Sequence, residues 1–361
     1  MFTTLSRLLL VALATALLGP GPGACLRSDG SEVGSPVRVA LASKHRGAHV
    51  FGRADSAKLK QFHDLHIRYI TLVPYASQRD VDSPDIRTTW RGEPDFRRQD
   101  SLWSARIRAV QRAGFRVHLK PHVWLHAPTE GRWRADIYPL TETDRQRWGT
   151  AYRAFILRYA VLAERNGVAL FCIGAEFTRL TSEFPDYWRT LIAEVRAVYS
   201  GELTYAANWY EEYEQIDFWD ALDYIGVQAY FPLSTQPTPS VEQLQAGWQP
   251  HLNALRAVAE RHGRPILFTE LGYKSTVDSA AEPWRWIDYE RDTTGQLSLA
   301  TQTHCYEAFF ASVWPQPWLA GAHLWQLRSD YPARQSPYTQ LDFTPQGKPA
   351  ATVIARGFAE Q

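Results

Sequence analysis

The chain has 361 residues, of which 45% are hydrophobic and 21% are charged, and its formal net charge is +1. Such a chain is long enough for a substantial core in one large domain or two small ones, and its composition is that of an ordinary globular protein. The balanced charge argues against a nucleic-acid partner and against a polybasic membrane-binding surface. The aromatic fraction of 13% fits either a large core or flat platforms on which sugar rings pack.

The first residues have the pattern of an export signal. Arg7 precedes the apolar run of residues 8–18, and small residues follow that run. Because the run is too short to cross a bilayer as a helix, the pattern favours a signal peptide over residues 1–24, with a buried N-terminal helix as the alternative. Residues 25–36 have the composition of a flexible tether. We therefore expect an exported protein that is periplasmic, attached to the cell envelope or extracellular.

The chain has three cysteines, and they predict no disulfide framework. Cys25 ends a stretch that resembles a bacterial lipobox, although Pro22 stands where such boxes usually carry Leu. Lipidation of Cys25 would attach the protein to a membrane, and a free mature protein is the alternative. Cys172 and Cys305 are interpreted as structural thiols.

From residue 37 onward, strand patterns alternate with amphipathic helix patterns. The predicted strands cover residues 37–42, 67–74, 116–123, 170–175, 203–209, 224–230, 265–271 and 322–327. The predicted helices cover residues 54–65, 101–113, 144–166, 186–199, 241–261 and 298–314, and the connection after the fifth strand holds little beyond residues 218–222. Such alternation argues for parallel βαβ units. Eight of these units predict a single-domain α/β fold, a (β/α)8 TIM barrel over residues 37–361.

The third predicted strand distinguishes a barrel from an open doubly wound sheet. Its odd positions from 117 to 123 are apolar, whereas its even positions include His118, Lys120 and His122. Successive side chains of a strand point to opposite faces, and the outer face of a barrel strand must pack against helices. The mostly polar even positions are therefore predicted to face the barrel interior. A doubly wound sheet would carry apolar residues on both faces of its central strands.

Two glutamates follow apolar runs at the carboxyl ends of strands, where barrel enzymes have their active sites. Glu176 ends the fourth predicted strand and Glu270 ends the seventh, and both are predicted to point inward. A buried carboxylate costs free energy unless it is paired or hydrogen-bonded. Each glutamate alone could form a structural ion pair with an interior base such as Lys120 or Arg68. The presence of both, at the ends of strands four and seven, favours a catalytic pair.

These features resemble the clan A glycoside hydrolases, in which one glutamate ends strand four and a second ends strand seven. Within that clan, the chain is most similar to glycoside hydrolase family 113, the β-mannanase family. The resemblance covers residues 37–330 and is carried by Ile173-Gly174-Ala175-Glu176-Phe177, Phe268-Thr269-Glu270-Leu271-Gly272-Tyr273, Lys120-Pro121-His122-Val123-Trp124, Asp223-Tyr224-Ile225-Gly226-Val227-Gln228-Ala229-Tyr230 and His323-Leu324-Trp325. Most clan members place Asn directly before the strand-four glutamate, but this chain has Ala175. Family 113 shares the Gly-x-Glu pattern at that point, so the departure favours this family over its relatives.

The resemblance implies hydrolysis of a glycosidic bond with retention of configuration. Glu270 would be the nucleophile that forms a glycosyl-enzyme, and Glu176 would be the acid/base that protonates the leaving oxygen and then deprotonates water. The two carboxyl groups would then lie roughly 5 to 5.5 Å apart. Tyr230 would donate a hydrogen bond to Glu270, and Trp325 would be the platform under the sugar at the cleavage point, with packing in the core as the alternative for each.

Other side chains near the strand ends are candidates for substrate binding, with a structural role as the alternative for each. The candidates for the glycone side are His122, Trp124 and Asn208, and further subsites could be formed by Trp90, Trp133 and Trp209.

Neither a metal nor a cofactor is expected. His118 and His122 share one face of a predicted strand, but four residues along a strand span roughly 13 Å, so they cannot both bind one ion. Motifs for zinc, calcium or nucleotide binding are absent from the sequence.

We therefore expect a monomeric enzyme that cleaves β-1,4-linked mannan or a related β-linked polysaccharide or oligosaccharide. One alternative is a catalytically inactive barrel that binds glycans on the cell envelope. Another is a related clan activity, such as that of a β-glucanase or a transglycosylase. Sugar specificity and the choice between endo and exo action depend on loop geometry that the sequence does not reveal.

Overall fold

Eight parallel strands close into a barrel in the computed structural model, which describes residues 37–53, 55–88, 96–288, 296–332 and 337–359. The barrel strands are β1 (His45–Phe51), β2 (Tyr69–Leu72), β5 (Arg116–Leu119), β7 (Leu170–Ala175), β8 (Glu202–Asn208), β9 (Tyr224–Gln228), β10 (Ile266–Leu271) and β11 (Leu319–Arg328). They follow one another around the barrel in chain order, and β11 pairs with β1 to close it. The predicted single-domain (β/α)8 barrel is confirmed. The predicted signal peptide, the tether and Cys25 lie outside the described residues.

Helices connect the strands, as the sequence predicts. They are α1 (Ser56–Leu59), α2 (Phe96–Arg112), α3 (Glu142–Arg165), α4 (Thr178–Glu183), α5 (Pro185–Val198), α6 (Val241–His262), α7 (Leu299–Ser312), α8 (Pro337–Leu341) and α9 (Pro349–Ala359). Helix α6 shows which residues mark the two ends of a helix in the sequence. Ser240 and Gln243 form a reciprocal capping box at its start, and Gly263 ends it in the left-handed conformation with φ of 62°. Across the described residues, every helix is too short or too polar to span a membrane.

The first predicted strand, residues 37–42, is wrong. Residues 41–43 form a 3-10 turn instead, and the first barrel strand is β1. β1 was missed because its inward side chains, His45 and His49, are polar although both are buried inside the barrel. Its Gly47 leaves room for the ring of His323, which would lie 2.4 Å from a Cβ at that position. A search for apolar runs does not find a strand of this kind.

The third predicted strand, residues 116–123, is also corrected, because it consists of two strands. The barrel strand β5 ends at Leu119, and β6 (His122–Leu125) belongs to a small second sheet with β3 (Tyr75–Gln78) and β4 (Ile86–Arg87). Pro121 lies between β5 and β6 and has no N–H to continue a ladder. The chain therefore leaves the barrel at this point, and the second sheet carries His122 and Trp124 above the barrel rim.

Polar side chains fill the barrel interior below the carboxyl ends of the strands. Thr71 Oγ1 lies 2.7 Å from His323 Nδ1 and 3.2 Å from His118 Nδ1. Burial holds the pKa of both histidines well below the ordinary value, so both rings are neutral. The interior placement of His118 agrees with the predicted orientation of the even positions, while Val117 and Leu119 are buried in the core outside the barrel wall.

Candidate active site

A cleft of about 570 Å3 opens at the carboxyl ends of the barrel strands. The seven residues predicted for catalysis or substrate binding all line it, namely His122, Trp124, Glu176, Asn208, Tyr230, Glu270 and Trp325. The site residues come from five barrel strands or the residues after them and from the small second sheet, and closure of the barrel brings them together. Trp90, a candidate for a further subsite, lies outside the described residues.

Glu176 directly follows β7 and has a strained backbone. Its φ is 57°, in the left-handed region that a residue with a Cβ adopts at a cost of roughly 1–2 kcal/mol. Two hydrogen bonds from the backbone hold this turn: Glu176 N donates to Ala206 O at 2.9 Å, and Phe177 N donates to Tyr205 Oη at 2.7 Å. Strain of this kind concentrates at functional sites, where the surrounding structure holds it.

The side chain of Glu176 is 7% exposed and accepts hydrogen bonds on both oxygens. Gln228 Nε2 donates to Oε1. Oε2 accepts from Arg134 Nη2 at 2.6 Å, from Arg134 Nε at 3.2 Å and from Trp133 Nε1 at 3.2 Å. The buried guanidinium of Arg134 is thus the cation in direct contact with this carboxyl group. Burial lowers the pKa of Arg134, but the charge and hydrogen bonds of Glu176, together with the charge of Glu270, raise it above the ordinary value.

Glu270 is 5% exposed and lies between two donors. Its Oε1 accepts from Lys120 Nζ at 2.6 Å, and its Oε2 accepts from Tyr230 Oη at 2.7 Å. Burial and the neighbouring carboxylate hold the pKa of Tyr230 well above the ordinary value, so the phenol keeps its proton and donates it in the hydrogen bond. Of the two bases that were considered for a structural ion pair with a glutamate, Lys120 does pair with Glu270, whereas Arg68 is exposed.

Gln228 at the end of β9 connects the two carboxyl groups. Its Oε1 accepts from Lys120 Nζ, and its Nε2 donates to Glu176. A lysine ammonium can only donate, so this contact fixes the orientation of the amide, with its NH2 group toward Glu176. Glu176 and Glu270 are therefore joined by a continuous chain of buried hydrogen bonds through Gln228 and Lys120.

His122 is a neutral donor that faces the cleft. Arg134 Nη1 lies 3.0 Å from His122 Nδ1. Since a guanidinium cannot accept, Nδ1 accepts and the proton of the ring is on Nε2. Burial, together with the nearby charges of Lys120 and Arg134, holds the pKa of His122 well below the ordinary value. The Nε2 atom is itself buried and has no protein partner among the described residues.

Asn208 at the end of β8 is held by two neighbours. Its backbone N donates to Glu212 Oε2 at 2.7 Å, and its Nδ2 donates to Thr178 Oγ1 at 2.9 Å. Glu212 also accepts from Tyr205 Oη at 2.6 Å, and burial raises the pKa of Glu212 to about 7. Glu212 therefore supports the backbone on both sides of the site, at Asn208 directly and at Phe177 through Tyr205.

Aromatic rings form much of the cleft wall, and several of them are open to solvent. Trp284 is 44% exposed and stacks on Trp209, with the ring centroids 5.2 Å apart. Trp286 is 52% exposed and packs edge-on against the buried Trp325. Exposed rings that are fixed by such contacts present flat apolar surfaces, which suit the C–H faces of sugar rings.

Some residues of the site were not assigned to it from the sequence. Arg134 and Gln228 contact Glu176 but were not among the predicted site residues, and Trp133 was considered only for a subsite. The inward direction of Gln228 on its strand was a usable signal. Arg134 lies in a 3-10 turn between β6 and α3, where no periodicity marks it. Across the part of the chain that the structure describes, no group of three His, Cys, Asp or Glu side chains could hold a metal ion.

Comparison with known proteins places the chain in a family. The β-mannanase AaManA from Alicyclobacillus acidocaldarius, solved in complex with ManMIm, is 28% identical, with a TM-score of 0.71 and coverage of 88% of this chain and 97% of that chain. A second β-1,4-mannanase structure of the same family is 24% identical, with a TM-score of 0.74 and coverage of 88% and 100%. The β-glucuronidase of Bifidobacterium dentium shares the fold at 16% identity, with a TM-score of 0.53 and coverage of 88% and 46%.

A comparison with curated protein sequences found no match. The model of Glycoside Hydrolase Family 113, in contrast, matches residues 42–348, which include both glutamates and every other residue of the site described above. A match over this span shows the family, and with it the general activity. The chain is a glycoside hydrolase and belongs to glycoside hydrolase family 113.

Proposed function

We propose that the protein is a retaining β-mannanase that cleaves β-1,4-linked mannan with Glu270 as the nucleophile and Glu176 as the acid/base. The observation that carries this proposal is the pairing of two buried glutamates in different environments at the base of one aromatic cleft. Lys120 and Tyr230 surround Glu270, whereas Glu176 lies beside a turn that comes from outside the barrel. Two carboxyl groups with different surroundings can take different roles in one reaction.

The first step breaks the glycosidic bond. Glu270 attacks the anomeric carbon and forms an ester with it, while Glu176 gives its proton to the oxygen of the departing sugar. In the second step Glu176 removes a proton from water, which attacks the same carbon and releases Glu270 as a carboxylate. Lys120 and Tyr230 stabilise that carboxylate before and after each cycle, because both donate to it.

Mannan as the substrate is supported by two of the named relatives, of which one is a β-1,4-mannanase and the other a β-mannanase. The cleft is consistent with a neutral polysaccharide, since its wall offers exposed indole rings. Such rings suit any pyranose polymer, so the polymer has to be identified by activity.

The first experiment measures activity on mannan, glucomannan, cellulose and xylan, with the sizes of the products. We expect mannan and glucomannan to be cleaved, and NMR to show that the product first forms with the β configuration. Glu176→Gln and Glu270→Gln should each lose about a thousandfold or more in kcat. With an activated aryl β-mannoside, azide should give the β-mannosyl azide from Glu176→Gln, whereas any azide product of Glu270→Gln should have the α configuration. Cleavage of xylan or cellulose alone would contradict mannan as the substrate, and equal silence of all three proteins would favour a glycan-binding barrel.

We also propose that the protein is exported and that Cys25 decides its location. The support is the charge and apolar pattern of the first 24 residues and the lipobox-like sequence before Cys25. Expression of the full chain and of a Cys25→Ala variant, followed by cell fractionation and mass spectrometry of the N-terminus, tests this. A lipid mass on Cys25 that is lost in the variant is expected for an anchored protein, and an intact leader in the cytosol would contradict export.

A further inference from the structure

We propose that the turn formed by Trp133 and Arg134 controls the proton on Glu176, so that Arg134 is a positioning residue that favours the base form over the acid form. The inference rests on the proposed function of Glu176 and deepens it. Arg134 approaches from the 3-10 turn Arg134–Asp136 and is 7% exposed. Its guanidinium makes two contacts with one carboxylate oxygen, at 2.6 and 3.2 Å.

The first step of the argument concerns Oε1 of Glu176. Lys120 can only donate, so Gln228 turns its carbonyl oxygen to Lys120 and its NH2 group to Glu176. An NH2 group can only donate, and therefore Oε1 must accept. The acidic proton of Glu176 has no place on this oxygen while the chain from Lys120 through Gln228 is intact.

The proton must therefore be carried by Oε2, which is the oxygen that the turn occupies. Trp133 Nε1 and Arg134 Nη2 and Nε all donate to Oε2, and none of these groups can accept. A proton on Oε2 would meet three N–H groups that point at the same atom. The acid form thus requires Trp133 and Arg134 to withdraw from Oε2, whereas the base form is stabilised by them.

For the acid form to arise, the substrate must displace this turn, and Trp133 is the part of it that is exposed in the cleft. Trp133 is 38% exposed at the cleft, its ring lies 4.8 Å from the guanidinium carbon of Arg134, and its backbone N is held by Asp136 Oδ2 at 2.8 Å. A sugar that enters on this side brings its glycosidic oxygen to Oε2, where it accepts the proton that the three N–H groups exclude. After the first sugar leaves, the return of Arg134 to Oε2 favours the carboxylate that must deprotonate water.

Other groups around Glu176 do not compensate for Arg134. His122 lies behind Arg134 and is neutral, and Lys120 is already paired with Glu270 beyond Gln228. Three acidic groups also interact electrostatically with Glu176, namely Tyr210, Glu212 and Tyr230. Glu270 acts on the same guanidinium as Glu176, and the cleft residue Arg285 is paired with Asp278 and Glu282. Loss of Arg134 therefore leaves a buried carboxylate without its counter-ion. An opposite charge at this range displaces the titration of a carboxyl group by roughly one to three pH units.

The test compares wild type with Arg134→Gln, Arg134→Lys and the matched control Arg153→Gln. Arg153 makes a similar fork to Glu194 on the outer surface, at 2.5 and 2.6 Å, and lies outside the catalytic cleft. In Arg134→Gln the high-pH limb of kcat/KM should move upward by about one pH unit or more, which is a tenfold change in proton affinity. Arg134→Lys, which keeps the charge but not the fork, should move it less. The control should match wild type.

A second measurement does not depend on catalysis. Titration of the 13C-labelled glutamate carboxyl groups by NMR, with the signal of Glu176 assigned from Glu176→Gln, should show the same upward displacement. Should Arg134→Gln fail to fold, Trp133→Phe removes one donor from Oε2 and should give a smaller displacement of the same sign. An unchanged or lowered titration in these variants overturns the inference. A displaced titration in a protein that cleaves no glycoside instead refutes the proposed function and leaves this inference standing.

Discussion

Removal of the phenol oxygen of Tyr230 tests the environment of the proposed nucleophile. Tyr230 Oη donates to Glu270 Oε2 at 2.7 Å, and the ring packs in a small cluster with Trp325 and Phe343. Tyr230→Phe deletes the hydrogen bond and keeps the ring. A hydrogen bond to a charged group contributes roughly 1.5–3 kcal/mol, and each 1.36 kcal/mol in a barrier is tenfold in rate. We therefore expect kcat to fall by about 10- to 150-fold.

The decrease in rate should affect mainly the second step, the hydrolysis of the glycosyl-enzyme, because the phenol stabilises the carboxylate of Glu270 that this step releases. The glycosyl-enzyme should then accumulate, so KM should fall together with kcat, and an activated aryl β-mannoside should give a burst of aryl product. Tyr213→Phe is a matched control, since Tyr213 Oη donates to Glu214 Oε1 at 2.9 Å outside the cleft. A Tyr230→Phe enzyme with the kcat and KM of that control would refute the role assigned to this hydrogen bond.

Three further predictions concern stability, pH and substrate binding. Lys120→Met leaves a buried carboxylate unpaired and should lower the free energy of unfolding by roughly 3–5 kcal/mol, as measured in urea, whereas the exposed pair of Arg153 should contribute less than about 1 kcal/mol. Burial raises the folded-state pKa of Glu212 from 4.5 to about 7. The contribution of the protonated Glu212 to the free energy of unfolding is therefore complete below pH 4.5 and is lost as the pH rises through 7. The melting temperature of Glu212→Gln should therefore decline less between pH 5 and 8 than that of wild type, and an equal decline would contradict this. Trp284→Ala should raise KM for long manno-oligosaccharides by about 2- to 13-fold, from a ring contact of roughly 0.5–1.5 kcal/mol, while Leu140→Ala, exposed outside the cleft, should leave KM unchanged.

Much of the fold follows from local patterns that the sequence displays directly. Seven of the eight predicted strands overlap barrel strands, because their outward positions are apolar and must pack on helices. Helix α3 covers Glu142–Arg165, close to the predicted residues 144–166. The exception, β1, carries buried histidines in place of an apolar run. When the inward positions of a barrel strand carry polar side chains, the strand has no apolar run, and a search for hydrophobic segments does not find it.

The positions of the two glutamates could also be predicted, since the carboxyl ends of barrel strands share one face. The sequence could not show which side chains contact these two glutamates. Arg134 contacts Glu176 across 42 positions of the chain, and Lys120 contacts Glu270 across 150. Gln228 joins the two glutamates only because β9 lies between β8 and β10 in the closed sheet.

The sequence by itself determined the class of fold, the family likeness and the strand ends that carry the two carboxyl groups. These properties depend on side-chain periodicity and on residues that adjoin one another in the chain. The tertiary structure decided which oxygen of Glu176 meets Arg134, which nitrogen of His122 carries the proton and which rings form the wall of the cleft. Such contacts arise from the closure of the barrel and from turns such as Arg134–Asp136, whose conformation is set by distant neighbours and leaves no periodic trace in the sequence.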